Sequence, residues 1–163
     1  MYPEPHILAT ADSVWLSLEL RIPCDDISRH MDAGIQEVLA HLAAHGTAPA
    51  GPLTCRHFMR PTTEFHFRLG FPLAAGTSVP STDRLHVGTL PAGTLARAIH
   101  RGPYEGLPAA WGRLHAALPG LLAGTSSLVP SGLFRESYLT DPATSPDPST
   151  WETLLEIELM GKG

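Results

Sequence analysis

Between Ser13 and Ile22 apolar and polar positions alternate without a break: Val14, Leu16, Leu18, Leu20 and Ile22 fall on one side, Trp15, Ser17, Glu19 and Arg21 on the other. A period of two over this length marks a half-buried strand, and Pro23 ends it. Asp25 or Asp26 then stands where a helix N-cap is expected. It precedes an apolar stripe of Ile27, Met31, Ile35, Val38, Leu39 and Leu42 at helical spacing. Gly46 follows in the position that commonly stops a helix. Two more strands are predicted near 53–59 and 63–71, joined by the turn Arg60-Pro61-Thr62.

The pattern then recurs. A strand near 84–100 leads into a helix whose stripe is Leu107, Trp111, Leu114, Leu118 and Leu121, stopped at Gly124. Strands follow at about 132–139 and 151–159, separated by residues 141–149, a loop by composition. The expected fold class is therefore α+β: two β-α-β-β units, about 13–71 and about 84–159, within a single domain spanning 1–163. Such a duplication predicts units related by a pseudo-two-fold axis, an antiparallel sheet with helices on one face, and a central ligand cleft. Under the repeat, Cys55-Arg56-His57-Phe58-Met59 lies over Phe134-Arg135-Glu136-Ser137-Tyr138.

Charge narrows the function classes. The net charge is −5 and no cluster of Lys or Arg occurs, which argues against direct nucleic-acid binding. Sixteen prolines and fifteen glycines predict numerous stiff loops. The N-terminal residues do not form a signal peptide, and no apolar run is long enough to cross a bilayer. The expectation is a cytoplasmic protein, monomer or weak dimer, with Cys24 and Cys55 reduced.

Candidate chemistry centres on the strand Phe134-Arg135-Glu136-Ser137-Tyr138. Residues two apart share a strand face, so Phe134, Glu136 and Tyr138 are neighbours while Arg135 and Ser137 point away. A carboxylate between two rings suits a flat lipophilic cation, and equally suits acid–base work. Core aromatics with a paired or rim acid are the ordinary reading of the same strand. His57 and Met59 fall at the repeat-equivalent positions of Glu136 and Tyr138. Trp15 lies on the strand face away from the helix, and Tyr104 opens a helix after Gly102-Pro103; both are pocket candidates. Trp111 falls on the helix stripe, where core packing comes first and ligand contact second. His41 and His45 have i, i+4 spacing with no third metal ligand. With no phosphate loop or nucleophile elbow either, neither a metal nor a cofactor is predicted.

Three segments together resemble the GyrI-like small-molecule-binding domain family. They are Leu90-Pro91-Ala92-Gly93-Thr94 through His100-Arg101-Gly102-Pro103-Tyr104-Glu105-Gly106-Leu107, then Glu136-Ser137-Tyr138-Leu139-Thr140-Asp141-Pro142, then Trp151-Glu152-Thr153 with a closing strand. The resemblance spans roughly residues 10–160 and is strongest over the second half. It implies the duplicated architecture and a ligand site with an acidic centre that matches Glu136. Only about twelve residues precede the first predicted strand, so the chain is expected to be a stand-alone member without a DNA-binding domain. The first function it implies is binding of aromatic, lipophilic, often cationic compounds with Glu136 as the acidic centre; the reading of strand and helix faces offers Tyr138, Phe134, Tyr104, Trp15, His57, Met59 and Trp111 as its further ligand-binding residues. The alternative is hydrolysis of cyclopropane-bearing DNA-alkylating compounds, with Glu136, Tyr138 and Tyr104 as catalytic groups. Interaction with DNA gyrase as an inhibitor ranks last, since no long exposed apolar or acidic run is present.

Overall fold

The computed structural model describes residues 4–125 and 127–162. The strands are β1 His6–Thr10, β2 Ser13–Pro23, β3 Leu53–His57, β4 Glu64–Pro72, β5 Leu85–Leu90, β6 Gly93–Arg101, β7 Leu128–Tyr138 and β8 Glu152–Gly161. The helices are α1 Ile27–Ala44 and α2 Leu107–Leu122. The chain is thus α+β, and the strand pairings within its units are antiparallel. It divides into two compact units, one of residues 11–92 and one of the N-terminal segment through Thr10 with residues from Gly93 onward.

In the unit of residues 11–92 the strand order is β3-β4-β2-β5. Leu16, Leu18, Leu20 and Ile22 of β2 stand opposite Phe71, Leu69, Phe67 and Phe65 of β4, so eight apolar side chains share one face. Helix α1 packs on that face and buries Val38 and Leu42. Its Gly34 lies tight against that face: a Cβ there would meet Leu18 Cδ2 at 3.1 Å and Leu20 Cδ1 at 3.4 Å. The expected stop is in place. Gly46 has φ +67°, with Thr47 N–H donating to the Leu42 carbonyl at 3.0 Å and Gly46 N–H to Ala43 at 3.1 Å, a Schellman end.

The start of α1 differs from expectation. Asp26 occupies the N-cap but its side chain caps no backbone N–H. Its carboxylate turns instead to two side chains of the first turn, the Arg29 guanidinium at 2.7 Å and the His30 ring at 3.1 Å. The single strand expected near 84–100 is two strands, since Pro91 interrupts the ladder. β5 pairs with β2, whereas β6 pairs with β1 and β8. The short strand β1 precedes the first strand that the alternation predicts.

In the other unit the order is β1-β6-β8-β7. Ala96, Leu155, Ile157 and Leu159 pack with Ala110, Leu114 and Leu118 of α2 to form its core. Leu107, Trp111 and Leu121, the flanks of the predicted stripe, pack against that core while staying half-buried. The opposite face of the same strands carries charge. Arg135 Nε meets Glu158 Oε2 at 2.9 Å, and Arg97 meets Glu156 Oε2 at 2.5 Å. Arg135, Glu156 and Glu158 are all buried.

A buried ion pair broken on one side leaves an uncompensated charge out of water. Arg135→Met is therefore expected to cost about 3–5 kcal/mol in urea unfolding, and the double change Arg135→Met with Glu158→Leu to recover a large part of that loss.

Candidate functional site

β7 aims its side chains by its register on β8. Phe134 stands opposite Ile157, Glu136 opposite Leu155 and Tyr138 opposite Thr153. Directly opposed residues of an antiparallel pair share a face, and Leu155 and Ile157 belong to the core under α2. Phe134, Glu136 and Tyr138 therefore look toward α2, and Arg135 and Ser137 look away.

Glu136 is held by neutral donors. Trp111 Nε1–H donates to Oε1 at 2.6 Å, and the Tyr138 hydroxyl donates to Oε2 at 2.5 Å. Each oxygen thus has one protein partner and room for another. Glu136 is half-buried, and no basic side chain pairs with it among the described residues. The contrast with Glu156 and Glu158, each buried against an arginine, is sharp. Two hydrogen bonds orient this carboxylate without cancelling its charge.

Rings continue from both partners. Trp111 packs edge-on to Phe134 at 5.1 Å between centroids, and His115 lies 6.0 Å from Trp111. On the other side Tyr138 packs edge-on to Tyr104 at 5.7 Å, and Tyr104 lies 4.8 Å from Trp151. All six are partly exposed.

The sequence around Tyr104 explains its placement. Gly102 adopts φ +132°, which a side chain resists, and Pro103 extends the chain. The His100 ring bonds to the Pro103 carbonyl at 3.0 Å and closes the turn. Gly106 lets the helix start press onto that ring: a Cβ there would lie 2.8 Å from His100 Cε1. The Tyr104 hydroxyl is pushed up from its ordinary range, first by burial and then by the charges of Asp141 and Glu136. It remains a protonated phenol.

Trp151 and His115 are site neighbours that sequence reasoning did not select. Asp141 begins a turn by accepting from Ala143 N–H at 2.9 Å, and its carbonyl accepts from Ser145 N–H at 3.0 Å. Trp151 Nε1–H then donates to the Ser145 carbonyl at 2.6 Å, which fixes the indole beside Tyr104. The motif around Asp141-Pro142 and Trp151 held the signal, since a loop ending in an aromatic can return it to the strand it left. His115 sits one helical turn beyond Trp111, and that spacing was also visible.

Trp15, His57 and Met59 belong to the other unit. Trp15 is 3% exposed, on the β2 face opposite Leu16 and Leu18. His57 lies in β3 opposite Phe67, with the two rings stacked at 4.9 Å. Met59 is 41% exposed, just beyond the end of β3. Among the described residues no group of three or more His, Cys, Asp or Glu is arranged to hold a metal. His41 and His45 pack on each other at 4.5 Å, and His41 bonds to the Pro80 carbonyl at 2.8 Å. No helix among the described residues is long and apolar enough to cross a membrane.

Comparison with known proteins identifies the family and the fold. The sequence model of the GyrI-like small molecule binding domain matches residues 4–160. No curated protein matches the chain. Among solved structures, the C-terminal domain of EcmrR is similar at TM-score 0.73 and 17% identity, with 98% of each chain covered. EcmrR in its DNA complex is similar at TM-score 0.74 and 18% identity; 96% of this chain matches 57% of that one, so this chain spans little more than half of EcmrR. SAV2435 bound to tetraphenylphosphonium is similar at TM-score 0.66 and 12% identity, covering 97% of this chain and 94% of that one. A hydrolase from Listeria innocua follows at TM-score 0.64 and 12% identity, covering 96% and 92%. Identities this low establish a shared fold.

Burial holds the His57 imidazole well below its ordinary value of 6.5, at about 4. The fold accepts the neutral ring, so its contribution is complete above pH 6.5 and is lost as pH falls toward 4. The loss amounts to roughly 3 kcal/mol. His57→Phe, which preserves the stack on Phe67, is expected to flatten this part of the stability–pH curve in urea unfolding between pH 7 and 4.

Proposed function

The chain belongs to the GyrI-like small-molecule-binding domain family, and on that premise we propose that it binds aromatic, lipophilic cations at Glu136. The observation that carries this reading is a half-buried carboxylate held by two neutral donors and walled by rings. A hydrated metal ion would gain little from such walls. A lipophilic cation gains from both: ring faces contribute roughly 0.5–2 kcal/mol through cation–π attraction, and Glu136 supplies the counter-charge. Trp111 and Tyr138 set the orientation of the carboxylate before the ligand arrives, so ordering costs little on binding. Phe134 and Tyr104 complete the walls. The tetraphenylphosphonium bound to SAV2435 is a ligand of the expected kind in a protein of similar fold.

A hydrolytic role is the second reading, supported by the protonated Tyr104 phenol, whose ring packs on Tyr138 and whose hydroxyl feels the Glu136 charge, and by the similarity to the Listeria innocua hydrolase. Glu136 would orient a water through a free lone pair, and a tyrosine hydroxyl would stabilise the leaving group. Incubation with a strained-ring alkylating compound, read by mass spectrometry, separates the two. Ring-opened product formed catalytically supports the enzyme, and recovery of intact compound after long incubation with excess protein counts against it.

Tetraphenylphosphonium and tetraphenylborate have nearly the same shape and opposite charge. Calorimetric titration is expected to show the phosphonium bound and the borate not bound. Glu136→Gln is expected to weaken phosphonium binding on the order of 10- to 100-fold. Equal affinity for the two ions, or no loss in the variant, would falsify the charge-based reading.

A further inference from the structure

The two ring clusters do not lie on the same side of the charge. Phe134 and Tyr138 are two residues before and two residues after Glu136 on one extended strand, so they flank it along the strand at about 7 Å each. Trp111 extends the Phe134 side and bonds to Oε1, while Tyr138 leads to Tyr104 and Trp151 and bonds to Oε2. The carboxylate therefore stands in the middle of an aromatic wall rather than at its end.

Resting on the cation-binding reading above, we infer that the site selects cations whose charge lies between two aromatic arms over cations whose charge lies at one end of the apolar body. In a charge-central ligand each arm reaches one ring cluster while the cationic atom stays over Glu136. In a charge-terminal ligand, placing the cation at Glu136 sends the whole apolar body to one side and leaves the other cluster without a partner. Size and lipophilicity alone would not produce this preference, because both kinds of ligand can carry the same rings.

Two constitutional isomers test the inference: dimethylbis(2-phenylethyl)ammonium, with the charge between its rings, and trimethyl(3,3-diphenylpropyl)ammonium, with the charge at one end. They have the same atoms, rings and charge. The central isomer is expected to bind roughly 3- to 10-fold more tightly, the gain of one additional aromatic contact. Phe134→Ala and Trp151→Ala, one from each cluster, should each weaken the central isomer, while the terminal isomer responds to one of them at most. If both isomers bind with equal affinity and both lose affinity in Glu136→Gln, the inference is overturned and the cation site stands. If neither shows binding that depends on Glu136, the cation-site reading falls and takes the inference with it. Circular dichroism on each variant confirms that a loss of affinity is not a loss of fold.

Discussion

Arg135 and Glu136 are consecutive residues of one strand, and the strand period sends them to opposite faces where they meet opposite treatment. Arg135 is buried against Glu158, so its charge is neutralised within the fold. Glu136 receives hydrogen bonds from an indole and a phenol, which satisfy lone pairs and leave the charge in place. A slip of one residue between β7 and β8 would exchange the two faces, placing the carboxylate among the ion pairs and the guanidinium under α2. The register of this strand pair is thus the constraint on which both the unit's stability and its site depend. The ladder carries an irregularity between Pro130 and Phe134, so the pairing beyond it is re-established from Phe134 onward. The alternation of apolar and charged partners along β8 makes the observed register the one that satisfies both faces.

Why a neutral clamp and not an arginine follows from the cost of binding. A guanidinium beside Glu136 would have to be displaced or desolvated before a cationic ligand could use the same carboxylate. Neutral donors impose no such competition. They also fix the side-chain rotamer, which a long flexible acid would otherwise surrender on binding. Trp111 serves two ends at once: its ring packs against the core of α2, and its N–H reaches outward to Glu136. The core-packing stripe and the binding function therefore share a residue, and neither reading of Trp111 excludes the other.

Much of this was legible in the sequence because periodicity reports faces directly. The alternation along β2, the stripes of α1 and α2, and the shared face of Phe134, Glu136 and Tyr138 all follow from it. The stop at Gly46 was legible because a left-handed residue is rarely anything but glycine. Other features lie where periodicity is silent. β1 is five residues at a sheet edge, too short to alternate visibly. Pro91 did mark a break in the run near 84–100, but a strand pattern on each side masked it. Asp25 and Asp26 both stood as cap candidates; Asp26 occupies the position, yet its carboxylate bonds to Arg29 and His30, a competition that a capping preference does not anticipate. The contact between Trp151 and Tyr104 depends on a loop of many residues closing on itself through Asp141, Ser145 and Asp147. Such closures are set by individual turns, and strand and helix periods carry no information about them.

The motif around Tyr104 shows how a short sequence can encode a site wall without containing its charged group. His100 needs a carbonyl to bond, Gly102 gives the chain the conformation that presents the Pro103 carbonyl, and Gly106 leaves space for the imidazole under the helix start. None of these three touches Glu136, yet together they fix the backbone from which Tyr104 reaches Tyr138 and Trp151. The carboxylate comes from β7, its first donor from α2, and its further wall from this turn and the loop before β8. A site assembled from four separate segments is rigid only if each is anchored by its own local interactions. That is the arrangement found here: a core-packed helix, a paired strand, a histidine-closed turn and an aspartate-capped loop, each ordered before any ligand is present.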